Sequence, residues 1–400
     1  MFHAVVLSGH AEVLAQSPLL ESLAARCDQA GAMNWLAYFL ATSSFRGKTP
    51  YLVLILKSGA SASPPRLDDV HAAVLLFEYR VIGIPTGVFC TDDWAGFRTV
   101  VAPEAERDAM SALAADAMLG RRAQLMLISY GGPRHRASAA VPVMRHAAMW
   151  VSATRPVAMT LLLEPTTKAT LAKLGKSTRF NLGYYRRRLN RVAPCEFVGD
   201  VCGLLTQKEF EALNEASLNP VHAEEFRLQH QSACSLPGGF LLGLRTLEGK
   251  WLSLIGGWRQ GTVTVLQWQL NAAGYEKLSI GTAMRSYFLE HEVERGTRKL
   301  IYYGGTPHSM GNSFEHEETT DLIVRRRSLR ATVIHALVRL LALLPAQVGI
   351  NSLLVQTMSS NDLHWRAVAR DAAGTSALVG SALIGIGKAK SPAGSKIESA

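Results

Sequence analysis

The chain has 400 residues, 48% of them hydrophobic, and 42 Lys and Arg against 32 Asp and Glu give it a formal charge of +10. That length and composition exclude a disordered chain and favour two or three globular domains. The basic balance calls for an anionic partner, and phosphorylated cofactors, nucleic acid and anionic lipid all qualify.

Cys27, Cys90, Cys195, Cys202 and Cys234 are odd in number, widely spread and without a CxxC pair. The pattern suggests reduced thiols in a cytoplasmic protein rather than a disulfide framework or a zinc site. The opening MFHAVVLSGHAEVLA has no basic n-region, so no signal peptide is expected. The segment 331–354 is interrupted by His335, Arg339, Pro345 and Asn351, so no membrane span is expected.

In chain order, Ser17 to Leu40 reads as one or two helices. YLVLILK and HAAVLLFEYR read as strands around a turn-rich GASASPPRLDD, Pro103 to Met118 as a helix, and AQLMLISYGG and AAMWVSATRPVAMTLLLE as strands. Strands alternating with helices predict an α/β (α+β) fold. From Thr167 to Val192 there are eight Lys and Arg and no acid, in a helical segment that Gly175 and Gly183 are placed to interrupt. A face of one sign suggests phosphate contact more than solvation, with Arg179, Arg186 and Arg187 as the candidates. Helices follow from Thr206 and over FRLQHQSACSLPGG, then a hairpin turned at Glu248 and Gly249. The chain closes with a strand through TTDLIVRRRS, a helix LRATVIHALVRLLALL and a loosely ordered tail over 374–400.

The most informative stretch runs from Trp251 to Gly305. LSLIGGW and TVTVLQWQL form a hairpin, TAMRSYFLEHEVERG a helix stopped by Gly296, and KLIYYGG a short strand, giving a β-turn-α-β crossover. In TVTVLQWQL the apolar parity changes from Val263 and Val265 to Leu266, Trp268 and Leu270. A β-bulge does this, and so does a strand buried on both faces; both readings stand. Ser279 and Gly281 fall at the helix start, where free amides and the positive end of the dipole suit an anion.

With GKSTRFNLGYYRRRLNR followed about ninety residues on by GYEKLSIGTAM and its helix, the chain resembles the GNAT superfamily of acyltransferases, and within it the CelD-type, FemAB-like branch. The resemblance spans about Ser17 to Leu344. It implies two GNAT-like mixed-sheet halves packed together, residues 1–160 and 161–345, with a partly disordered extension over 346–400. The second half is implied to hold acetyl-CoA or another acyl-CoA. The superfamily's phosphate loop, Gln/Arg-x-x-Gly-x-Gly/Ala, falls on Glu276, Ser279 and Gly281. Glu276 departs from it, and Ser279, Ile280 and Gly281 fit the branch's looser form. Cofactor contacts are expected at Leu266, Gln267, Trp268, Lys277, Ser279, Ile280, Gly281 and Thr282.

Direct acyl transfer needs a base and an oxyanion donor. Tyr302 and Tyr303 are candidates to protonate the leaving thiolate, and His308 is the candidate base. Glu315, His316, Glu317 and Glu318 match a metal site in composition only, because adjacent residues do not converge. The expected acceptor is a small molecule or polysaccharide precursor. Transfer RNA enters only in the alternative of an aminoacyl transferase, and a non-catalytic binding protein is the remaining reading.

Overall fold

Continuous apolar runs become the inner strands of one sheet, and the amphipathic segments cover it. The structure is a computed structural model describing residues 2–27, 29, 36–45, 47–59, 66–81, 83–91, 99–131, 148–218, 220–221, 223–302 and 314–343. The chain divides into two compact units, 1–334 and 335–400, and of the second only residues 335–343 are described.

The first unit begins with β1 (Phe2–Ser8), α1 (His10–Leu14), α2 (Ser17–Arg26), α3 (Leu36–Phe45), β2 (Lys48–Lys57), β3 (Val70–Val81), β4 (Ile84–Cys90) and the two-residue β5 (Val100–Val101). Helix α4 (Arg107–Arg121), β6 (Leu125–Gly131) and β7 (Ala148–Leu162) follow. Next come α5 (Thr167–Lys173), α6 (Lys176–Val192), β8 (Cys195–Val198), α7 (Gln207–Glu215) and α8 (Ala223–Ser235). The rest is β9 (Gly239–Thr246), β10 (Trp251–Gln260), β11 (Val263–Asn271), α9 (Ile280–Glu294), β12 (Lys299–Tyr302), β13 (Glu315–Arg326) and α10 (Leu329–Leu343), which runs on into the second unit.

The fold is mixed α/β, with the described strands in a single 13-stranded sheet ordered β1-β2-β3-β4-β6-β13-β7-β12-β11-β10-β9-β8, β5 lying off this path against β3. That order contains a repeat. β1 to β4 are an antiparallel series, and α4 crosses from β4 to a parallel β6. β8 to β11 are antiparallel likewise, and α9 crosses from β11 to a parallel β12. The repeats exchange closing strands: β7 pairs with β12, and β13 pairs with β6. One core lies around α4, with Met110, Ala114 and Met118 against Val53, Val74 and Met126. Another lies around α9, with Met284 and Phe288 against Leu242, Ile255, Leu266 and Leu300.

Each helix of the second repeat has a local cause. Thr206 and Glu209 close a capping box on α7. Gly296, at φ 85, ends α9 with its N–H on Val293 O at 3.0 Å while the Thr297 N–H reaches Glu292 O at 2.9 Å, a Schellman motif. Gly175 separates α5 from α6, as expected, whereas Gly183 does not break α6: it sits mid-helix, and a β-carbon there would lie 3.0 Å from an Arg187 Nη.

The five cysteines do not all remain thiols, contrary to the composition. Cys202 and Cys234 form a disulfide across 32 residues, with Cα atoms 5.3 Å apart. It ties the segment after β8 to the end of α8. Spacing alone hid it, because the two meet only after α8 folds against β9. Among the described residues no helix is long and apolar enough to cross a membrane.

Candidate functional site

The hairpin β10–β11 carries the parity change as a bulge. Gly256 pairs with Trp268 and Gly257 with Leu266, leaving Gln267 without a partner on β10. Two glycines make room for it. A β-carbon on Gly256 would lie 2.1 Å from Trp268 Cζ2, and one on Gly257 would lie 2.0 Å from the Val265 carbonyl oxygen. The side chains divide at this point. Leu266 joins the core around α9, while Trp268 packs edge-on against Phe210 of α7 (5.6 Å) and Phe226 of α8 (6.0 Å). The last described pair of β11 with β12 is Leu266 opposite Tyr302, beside the bulge.

Beyond Asn271 the chain makes a 3-10 turn, Glu276–Leu278, and enters α9 through Ser279 at φ 45. Ser279 is the one non-glycine residue at positive φ among the described residues, and such left-handed backbone recurs at ligand sites. The N–H groups of Thr282 and Ala283 bond back to Ser279 O, at 2.9 and 3.1 Å. Those of Ile280 and Gly281 have no acceptor among the described residues. Gly281 rests on side chains of β11: Gln269 Nε2 donates to Gly281 O at 3.0 Å, and a β-carbon would come within 3.2 Å of Asn271 Nδ2. Glu276 points elsewhere, its carboxylate accepting the Gly274 N–H at 2.8 Å, and Lys277 is exposed on the same turn.

The corresponding place in the first repeat differs in charge. The approach to α4 carries Glu104 and Glu106 and its first turn Asp108, whereas the approach to α9 carries Glu276 alone, turned onto the Gly274 N–H, and its first turn has no acid. A phosphate is favoured at the second and repelled at the first.

Tyr302 is buried, its ring edge-on to Phe314 at 5.0 Å, and its hydroxyl has no partner among the described residues. Burial pushes its pKa well above the usual phenol value, so the hydroxyl holds its proton. Gln267 is 7% exposed, and its Nε2 is equally without a partner. Arg285, one turn along α9 from Gly281, donates from Nε to Gln269 Oε1 at 2.9 Å. Sequence reading passed over Arg285, since one arginine on an amphipathic helix carries no signal of burial.

Helix α6 braces α9. Arg186 pairs with Glu290 and lies 3.9 Å over the Tyr287 ring, and Asn190 Nδ2 donates to Tyr287 Oη at 2.6 Å. Arg179 donates to Ala172 O at the end of α5, at 2.9 Å, and Arg187 lies along Gly183. Two of the three arginines proposed for anion contact thus have protein partners. Tyr303 and His308 lie outside the described residues. Of the acidic run, Glu315 is exposed on β13, and among the described residues no group of His, Cys, Asp and Glu is placed to hold a metal ion.

No protein-family model matches the chain, and no curated protein matches it. Solved structures do resemble it. A tandem GNAT protein from the clavulanic acid biosynthesis pathway covers 82% of this chain and 99% of its own at 12% identity, with a TM-score of 0.43. FemX covers 78% and 96% at 8% identity and a TM-score of 0.47. A GCN5-related N-acetyltransferase from Sphaerobacter thermophilus covers 81% and 95% at 13% identity and a TM-score of 0.39. At these values the likeness gives the chain neither a substrate nor a residue role.

Proposed function

We propose that the chain is a GNAT-type, acyl-CoA-dependent acyltransferase of the CelD-type, FemAB-like kind, passing an acyl group directly to an amine or hydroxyl of a small molecule or polysaccharide precursor. One observation carries this reading: a bulged strand beside a parallel neighbour leads into a helix whose first turn has two unpaired amides and no acid, whereas the corresponding helix of the first repeat has Asp108 in its first turn. The residues fit the cofactor. Ile280 and Gly281 offer N–H groups to its pyrophosphate, and the narrow space above Asn271 and Gln269 admits glycine at 281. Backbone groups from Leu266 to Trp268, irregular at the bulge, are set to align an extended pantetheine arm.

When bound, an acyl thioester supplies the activated carbonyl. The chain's own contribution is to orient it and to hold protons. Tyr302, kept protonated by burial and ending β12 beside the bulge, is assigned as hydrogen-bond donor to the carbonyl oxygen or the departing sulfur. Tyr303 and His308 follow directly in sequence and remain the proposed second donor and base. Use of transfer RNA is less favoured, because Arg186 and Arg179 are engaged within the fold.

Calorimetric titration with coenzyme A and acetyl-CoA tests the reading. Micromolar binding is expected, weakened at least about tenfold, or 1.4 kcal/mol, in Gly281→Glu, which puts bulk and negative charge at the amides. Gly203→Glu adds the same charge at an exposed position with nothing within 4 Å and should bind as the parent does. No binding by the parent protein would leave the non-catalytic reading.

A further inference from the structure

We infer that Arg285 is a specificity residue: it receives a carboxylate carried by one of the two substrates, either at the far end of a dicarboxylic acyl group or on an amino-acid acceptor. The inference deepens the proposed function and rests on it.

Arg285 is half-buried, and desolvation lowers its pKa from the ordinary guanidinium value. Buried arginines are normally paired, because the charge is costly to desolvate. Arg259 of the same repeat follows that rule and lies against Glu292. Arg285 has no carboxylate partner among the described residues; its Nε donates to Gln269 Oε1, a neutral acceptor.

A second observation points the same way. Tyr302, opposite Leu266 of β11, has a buried hydroxyl with no partner among the described residues, and on the same strand as Gln269 lies Gln267, whose buried Nε2 has none either. One hydroxyl and one amide N–H₂ are donors without acceptors among the described residues, and the guanidinium has donors beyond the one Nε–H that Gln269 accepts. An anionic oxygen pair is the chemistry that satisfies them, and a guanidinium binds a carboxylate through two parallel hydrogen bonds. Cofactor pyrophosphate does not fill this role, because the unpaired amides that suit it belong to Ile280 and Gly281, one helical turn away.

Calorimetry and thermal melting together test the inference. In the donor arm, succinyl-CoA is compared with acetyl-CoA; in the acceptor arm, glycine is compared with glycinamide in the presence of coenzyme A. A preference of about tenfold or more for the carboxylate in one arm is expected. That arm identifies the carrier. Arg285→Gln should erase the preference while changing affinity for coenzyme A itself less than threefold, roughly 0.6 kcal/mol. Without ligand, the variant should melt no lower than the parent, since it removes an uncompensated half-buried charge; a structural arginine would lower the melting temperature. Succinate and succinamide, tested by melting in the absence of coenzyme A, separate the two claims. If coenzyme A fails to bind but succinate alone stabilises the parent and not Arg285→Gln, the acyltransferase reading falls and the anion site stands. No preference in either arm, or one that survives in Arg285→Gln, overturns the inference.

Discussion

Glu292→Ala is expected to lower the unfolding free energy by about 3–5 kcal/mol, measured by urea denaturation, because it strands a buried charge. The Glu292 side chain is fully buried on α9 and gathers groups from three elements. Arg259 of β10 donates through Nε at 3.1 Å and also through Nη2, and its guanidinium lies 4.2 Å over the Phe240 ring. Thr297, just past the helix, donates to Oε2 at 2.6 Å, and Thr264 of β11 donates to the same oxygen. The cluster joins the hairpin to the end of α9 away from the phosphate turn. Arg259→Met should cost a comparable amount, and the double variant Arg259→Met/Glu292→Leu less than the sum, since neither charge is then left alone.

Gly257→Ala should be nearly as damaging, at about 3 kcal/mol. A β-carbon there would lie 2.0 Å from the Val265 carbonyl oxygen and 3.0 Å from Phe240 Cζ. The first of these is backbone, so relief requires moving β11 itself, and overpacking of this kind costs about 1–3 kcal/mol or more. If the variant folds, its affinity for coenzyme A should fall as well, because the bulge at Gln267 is what moves. Gly203→Ala, with open space around the new carbon, is the matched control and should change stability by less than about 0.5 kcal/mol.

The second repeat was more legible in the sequence than the first. The parity change between Val265 and Leu266 left a bulge and a strand buried on both faces open, and the pairing of Gly257 with Leu266 and Gly256 with Trp268 decides for the bulge, since one inserted residue reverses every later side chain. The capping box at Thr206 and the stop at Gly296 were readable for equally local reasons. Strands β1, β4 and β8 escaped notice. β8 has only four residues, and β4, IPTGVFC, contains Pro85 and Gly87, which ordinarily argue against a strand. Gly87 is accommodated because the register of β3 and β4 shifts after Glu78, whose buried carboxylate accepts the Gly87 N–H at 3.1 Å.

The parts of the site that sequence did not reveal depend on contacts distant along the chain. Arg186 reads as a free cation until Glu290, 104 residues away, is folded against it. Arg285 and Glu292 have the helix spacing of any polar residues, and their burial arises when the hairpin closes over α9. The disulfide likewise joins residues whose proximity is created by α8. Charge pattern singled out α6 for anion contact, yet Arg186 braces α9 and Arg179 ties back to α5.

Backbone hydrogen exchange with and without coenzyme A tests most directly the claim that the second repeat holds the cofactor and the first does not. Slowed exchange is expected in peptides covering 263–271 and 279–283, where the bulge and the unpaired amides lie, with no change over 99–108 at the start of α4. Protection confined to 99–108, or none in either region at saturating coenzyme A, would contradict the account.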